Sequence, residues 1–376
     1  MCRLFALTST DPVSPMEAVQ ALDVMREGHD GSGVGLYLTG LDGAFGKMPD
    51  TPILSAIVTE QGEERLMEFM RHRGYTPGHR LSMSHSATLP AGTPARHAYL
   101  VQAFEPPAGW DDLSKEAREE ELLATRVALK IAGLEHDDIT VFSFWPDVVM
   151  VKEIGDPLSV GEYLGLDHHD FYARTILAQG RQNTNYAINL YACHPFFIQG
   201  ICTMTNGENT AFVPIREYLE SQNITGYTGY HSDSEVFAHI LHYTMKRLGL
   251  PLQAYKHIIT PLSDAQLDAH ADGEFLARLK MVCRKMIIDG PNCVIGVTPD
   301  RSMFMVQDKK KLRPGVVGGR PGLYAFSSEV CGLDAVIPDR DKSADFQPMH
   351  LDTAIVSPQC EEIEICRQTQ PLPHLR

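Results

Sequence analysis

The sequence has no Cys-x-x-Cys pair, only two tryptophans, no long apolar run and a shortfall of positive charge. Each absence removes a class of function. The eight cysteines stand apart at positions 2, 193, 202, 283, 293, 331, 360 and 366. That scatter excludes zinc-ribbon and redox-dithiol patterns and reads as reduced thiols, mostly small buried hydrophobes. Cys193-His194 with Cys202 offers three soft ligands at uneven spacing, too few for a closed zinc site, so no metal is expected. No apolar stretch approaches the ~18 residues of a membrane span, and no basic-then-apolar leader opens the chain. The expected setting is therefore cytoplasmic, without a membrane partner. With 33 Lys and Arg against 48 Asp and Glu, the net charge of −15 argues against nucleic acid as a partner.

What is present is ample apolar content, 43% of 376 residues, enough for one large domain over residues 1–376. The first fifty residues read as strand, helix and strand. Residues 4–7 are apolar, Ser14-Pro15 opens a helix carrying Ala18, Leu22 and Met25, and a glycine-rich turn leads into a strand at 34–38. Residues from about 50 to 165 differ in texture and read as an α+β insertion. It contains a helix at 60–70, a strand at 99–104 and a long charged helix at 114–132. A hairpin is expected to join 140–145 to 148–152 across Pro146-Asp147. A second hairpin is expected between 291–297 and 302–306. His168-His169 sits in an acidic, solvated turn. Blocks of strands and helices, rather than strict alternation, predict an α+β fold. The tail at about 368–376, with Pro371-Leu372-Pro373, is expected to be loosely ordered.

Four stretches carry chemistry. Cys2 follows the initiator methionine, whose removal would leave a thiol and a free amine on one residue. The amine then serves as base for the nucleophile, since reference values near ~8 and ~8.5 nearly balance proton exchange. Alone, the dipeptide reads first as a start site before a buried strand. Gly180-Arg181-Gln182-Asn183-Thr184-Asn185-Tyr186 sets a guanidinium beside amides and a hydroxyl, which suits a carboxylate ligand, although alone the stretch reads first as a polar turn. Thr205-Asn206-Gly207-Glu208-Asn209-Thr210 reads either as a hairpin loop or as a site where the Asn206 amide and the Gly207 N–H converge on an oxyanion. Ser232-Asp233-Ser234-Glu235 predicts a capping box between Ser232 and Glu235, with Asp233 in the first helical turn or facing a ligand ammonium.

Together these stretches resemble the class II glutamine amidotransferases of the N-terminal-nucleophile type, most closely the amidotransferase domain of glutamate synthase. That domain carries Ser-Arg-Phe-Ser-Thr-Asn-Thr, then Gln-Pro-Phe, then His-Asn-Gly-Glu-Ile-Asn-Thr. Here the counterparts are the Gly180 to Tyr186 stretch, His194-Pro195-Phe196 and the Thr205 to Thr210 stretch. Ser232-Asp233-Ser234 matches the family's Ser-Asp-Ser. Leu312-Arg313-Pro314 and Ser327-Ser328-Glu329 resemble its later landmarks. The similarity covers most of residues 2–335.

The resemblance implies a four-layer αββα N-terminal-nucleophile sandwich and hydrolysis of L-glutamine at Cys2. It implies Arg181 on the substrate carboxylate with Thr184 and Asn185, Asp233 on the ammonium, and Asn206 and Gly207 as the oxyanion hole. It implies no cofactor in this chain. Ammonia would pass to a separate FMN-containing synthase subunit, with iron–sulfur centres also in partner subunits, in a hetero-oligomer making glutamate or an N-alkylated glutamate. The chain departs from the family at Arg3, where glycine is usual, at Thr205, where histidine is usual, and at Arg26, one position early for its expected role of positioning the N-terminus. His72-Arg73-Gly74 matches the family tripeptide but lies in the insertion. Three alternatives stay open: a degenerate, non-catalytic subunit of this fold, a glutaminase serving another ammonia-using synthase, and a hydrolase of other amides.

Overall fold

The architecture follows from three antiparallel sheets in a computed structural model, which describes residues 2–28, 30–81, 83, 98–182, 189–224 and 229–373. The first sheet runs β13 (Val316–Arg320), β14 (Leu323–Ser327), β1 (Arg3–Val13), β8 (Ala173–Gly180), β2 (Val34–Leu41) and β7 (Val148–Glu153). The second runs β16 (Glu364–Arg367), β15 (Asp352–Val356), β12 (Met303–Gln307), β11 (Asn292–Val297), β10 (Ile201–Gly207) and β9 (Phe196–Ile198). The third runs β4 (Thr76–Arg80), β5 (Ala98–Glu105), β3 (Pro52–Val58) and β6 (Ile139–Pro146).

Side-chain alternation shows how the two six-stranded sheets stack. On β10, β11 and β12, residues Cys202, Met204, Cys293, Ile295, Met303 and Met305 join the core that contains Leu4, Ala6 and Tyr37 of the first sheet, and the Tyr37 ring stacks on Phe197 of β9. Their neighbours Ile201, Val294, Phe304 and Val306 join a separate core with the helices α5 (Phe212–Ser221), α6 (Glu235–His242), α7 (Leu252–Ile259), α8 (Asp264–Asp268) and α9 (Gly273–Val282). The outer face of the first sheet carries α1 (Pro15–Val24), α4 (Pro157–Leu164) and α10 (Val330–Val336), which pack on one another and on β1, β8 and β14. The result is helix, sheet, sheet, helix: an α+β sandwich of four layers, as the sequence led us to expect. The helix α1 starts where Pro15 can fill the first position and the Ser14 hydroxyl accepts from Met16 N–H at 3.2 Å.

The third sheet, with α2 (Glu60–His72) and α3 (Lys115–His136), has its own core of Leu54, Leu66, Tyr75, Phe104, Leu129 and Phe144. The expected hairpin across Pro146-Asp147 is not formed. β6 pairs with β3, whereas β7 pairs with β2 in the first sheet. The chain changes sheets at Asp147, whose φ is 54° and whose carboxylate accepts from the backbone N–H groups of Gly40 and Leu41 at 2.8 Å each. That latch directs β7 onto the edge of β2, so the strand at 148–153 belongs to the main sandwich. The β11–β12 hairpin forms as expected. The tail is better held than expected through Leu372. Its N–H donates to the Asp272 carboxylate at 2.8 Å, and the Gln368 side-chain amide donates to Thr260 O at 2.9 Å. None of the described helices is long and apolar enough to cross a membrane.

Candidate active site

Cys2 precedes the first residue of β1, and Leu4, two positions on, is in register with Gln179 and Gly35, whose inner side meets His194 O between the sheets. The period of a strand therefore puts Cys2 on the inner face and Arg3 on the outer one. The Cys2 Sγ accepts from the Gln182 N–H at 3.5 Å and donates to Gln182 O at 3.7 Å. Gln182 and Arg181 directly follow β8, the neighbour of β1, with Arg3 in register with Gly180. Burial pushes the Cys2 thiol up, against the Gln182 N–H and the Arg181 charge, which favour thiolate. At neutral pH the thiol stays protonated and needs a base to attack.

Arg181 is buried. Its N–H donates to Gly33 O at 2.8 Å and its carbonyl accepts from Asp30 N–H at 3.3 Å. Its guanidinium also engages the Cys193 thiol, which burial otherwise pushes up. Two sequence-predicted residues, Cys2 and Arg181, are thus brought to the same end of the adjacent central strands β1 and β8. Thr184 and Asn185 lie outside the described residues.

Asn206 and Gly207 end β10, paired with Cys293 and Asn292. They do not form a hairpin loop: the strand runs through them and breaks off where Gly207 adopts φ 152°. A Cβ there would collide with Pro291 O, so the position demands glycine. Asn206 is 1% exposed, and its Nδ2 has no acceptor among the described residues. Its place on the same strand face as Cys202 and Met204 directs it between the sheets. A buried amide donor without an acceptor costs about 1–3 kcal/mol, so native chains keep few of them without a use.

Asp233 departs from its expected setting. The Ser232–Glu235 capping box is absent. α6 starts at Glu235 with Ser234 as its cap, and no side chain caps it. Ser232 Oγ accepts instead from Ser234 N–H at 3.3 Å. Glu235 turns inward, accepting from Tyr230 N–H at 3.0 Å and pairing with His239 at 3.0 Å. Asp233 lies before the helix and accepts from Asn209 N–H at 2.7 Å, just beyond Gly207. Burial pushes its carboxyl up, the Asn209 N–H pulls it down and Glu208 raises it again. Arg26 sits on the short turn Arg26–Gly28, largely exposed, where it pairs with Asp23 at 3.2 Å. Among the described residues it makes no bond to Cys2. His168 and His169 lie in an exposed turn.

No protein-family model matches the chain. An uncharacterized protein of Archaeoglobus fulgidus is 29% identical over 231 residues, covering 61% of this chain and 59% of that protein. The chain thus spans less than two thirds of the length of that relative. Among solved structures, the chain is similar to glutamine phosphoribosylpyrophosphate amidotransferase from B. subtilis, with TM-score 0.46 and 12% identity over 99% of this chain and 50% of that one. It is similar to the allosteric regulatory enzyme of purine biosynthesis, with TM-score 0.44, 11% identity and the same shares. A glutamine aminotransferase class-II domain protein from Silicibacter pomeroyi gives TM-score 0.36 and 14% identity over 60% of this chain and 86% of that one.

Sequence reasoning missed Gln179 and Gln182. Gln182 acts through its backbone, which no side-chain pattern reports. Gln179 is 1% exposed in β8, next to the apolar run Ile176 to Ala178, and a long polar side chain closing that run was the available signal.

Proposed function

We propose that this chain is a glutaminase of the N-terminal-nucleophile type, with Cys2 as nucleophile. The observation that carries the reading is the pairing of Cys2 Sγ with the Gln182 N–H, next to the buried Arg181 guanidinium. A nucleophile adjacent to a fixed cation suits a substrate with both a carboxylate and an electrophilic carbonyl. The Asn206 amide, which has no acceptor among the described residues, supports the same reading.

In the proposed reaction the α-amine of a mature Cys2 takes the thiol proton, and Sγ bonds to the carboxamide carbon of glutamine. The carbonyl π electrons move to oxygen, which the Asn206 amide and the Gly207 N–H stabilise. Collapse breaks the C–N bond as nitrogen gains a proton, releasing ammonia and leaving a γ-glutamyl thioester. Water cleaves the thioester to glutamate. Arg181, with Thr184 and Asn185, binds the α-carboxylate and Asp233 the α-ammonium. Because burial keeps the Cys2 thiol protonated, the amine is required as base.

By the sequence resemblance, the ammonia goes to a separate FMN-containing synthase subunit making glutamate or an N-alkylated glutamate. Arg3, which stands where the family usually has glycine, is bonded to Glu329 at 2.8 Å and to Met25 O at 3.3 Å on the outer face. The test is ammonia release from L-glutamine by the purified chain, alone and with a co-purified partner. Release that Cys2→Ala abolishes supports the reading; no release in either setting favours the non-catalytic alternative.

A further inference from the structure

β9 stops pairing with β10 at Phe196, opposite Thr203. Pro195 has no N–H to continue the ladder. Two residues farther along β10, the backbone of Thr205 would lose its partners. Side chains replace them. The Thr205 N–H donates to His194 Nδ1 at 3.0 Å, and Thr205 O accepts from Gln179 Nε2 at 3.3 Å. Gln179 Nε2 also lies 2.9 Å from His194 Nδ1, while its Oε1 accepts from the His194 N–H at 3.1 Å.

The roles in this stitch are determined by the backbone. The Thr205 N–H can only donate, so Nδ1 is an acceptor and the ring proton is on Nε2. The His194 N–H can only donate and Thr205 O only accept, which sets the orientation of the Gln179 amide. All three residues are buried. Gln179 stands on β8 of the first sheet, in the row Leu4, Gln179, Gly35 and Lys152 that crosses four strands. That row grips the segment from several sides. Lys152 Nζ donates to Cys193 O at 2.5 Å, and Gly35 leaves room for His194 O, with which a Cβ would collide. The charges facing the imidazole are Arg181 and Lys152, both cationic, with the Phe196 ring 4.7 Å from its centroid.

We propose that His194 is a positioning residue, whose neutral Nδ1 locks Thr205 to Gln179 and thereby fixes Asn206 on one sheet relative to Arg181 and Cys2 on the other. The inference rests on the glutaminase reading for its catalytic consequence, while the stitch itself is read from geometry. Asn206 is one residue from the stitch, and Arg181 is two residues from Gln179. Loosening it displaces the oxyanion donor more than the carboxylate grip, because Arg181 keeps its own bonds to Gly33 and Asp30.

The test compares His194→Phe, which removes the acceptor at similar volume, with His194→Asn, whose Oδ1 restores one. Two readouts are taken: kcat and KM for glutamine, and backbone hydrogen exchange over residues 201–207. The expected result for His194→Phe is a loss of kcat of roughly 10- to 100-fold with KM changed about threefold or less, and faster exchange in that segment. His194→Asn restores most of both. Unchanged exchange in folded His194→Phe, or equal losses in the two variants, overturns the proposal. If the wild-type chain releases no ammonia, the glutaminase reading fails alone, and the exchange comparison still decides whether the stitch holds the strand.

Discussion

Arg3 and Glu329 form an ion pair at 2.8 Å on the helix-covered face of the first sheet, one residue from a cysteine on the opposite face. The pair ties β1 to the start of α10, and the same guanidinium holds the end of α1 through Met25 O. Its role is structural. Arg3→Ala should lower stability by about 1–2 kcal/mol, since the guanidinium is mostly buried and Glu329 partly exposed. Glutamine turnover should stay within about threefold of wild type. Urea denaturation and a glutaminase assay read the two effects separately.

Asn206→Ala should show the opposite balance. The side-chain amide donates to nothing among the described residues, so its loss should change stability by less than about 1 kcal/mol. Loss of an oxyanion donor should lower kcat about 10²- to 10³-fold, with little change in KM. A large loss of stability with intact kcat would assign Asn206 to the core instead.

Gly207→Ala should damage both. At φ 152° the backbone disfavours any side chain, and the added methyl meets Pro291 O. The expected cost is roughly 2–4 kcal/mol by thermal or urea unfolding. Turnover should fall as the end of β10 shifts.

Asp233 supplies a pH-dependent prediction. Burial raises its carboxyl in the folded chain, so the folded state holds more protons than the unfolded one between the two values. Stability from this group therefore falls as pH rises from the unfolded value of about 3.9 through the raised folded one, and the deficit persists at neutral pH. Asp233→Asn keeps an acceptor for the Asn209 N–H and removes the buried charge. It should be at least as stable as wild type at pH 7, and the difference should shrink toward pH 3. KM for glutamine should rise, because the ammonium partner is lost. Urea midpoints at the two pH values and steady-state kinetics check this.

Many elements of this fold were legible because they depend on local pattern, whereas the four layers were expected only from the family resemblance. The apolar 4–7 strand, the Ser14-Pro15 helix start and the β11–β12 hairpin all follow from periodicity and turn chemistry. What could not be read was choice of partner. The 140–145 and 148–152 segments look like a hairpin because alternation says nothing about which edge a strand joins. The Asp147 carboxylate, bonded to β2, makes that choice through tertiary contacts. The Ser232–Glu235 motif fails for a similar reason. Glu235 finds a buried histidine one turn on, and that contact outcompetes the cap. At the site, Cys2 and Arg181 were visible as chemistry, while Gln179 and the His194 stitch emerge only when two sheets meet.

The central claim is that the sulfur of Cys2 bonds to the substrate carbonyl. The most direct test is an acid quench of the chain during turnover of L-glutamine, followed by intact-mass and peptide mass measurement. The account predicts a chain whose mass begins at Cys2, carrying a glutamyl group on the Cys2 peptide that is absent from Cys2→Ala. A chain that retains Met1 and still hydrolyses glutamine, or a glutamyl adduct on another residue, would contradict it.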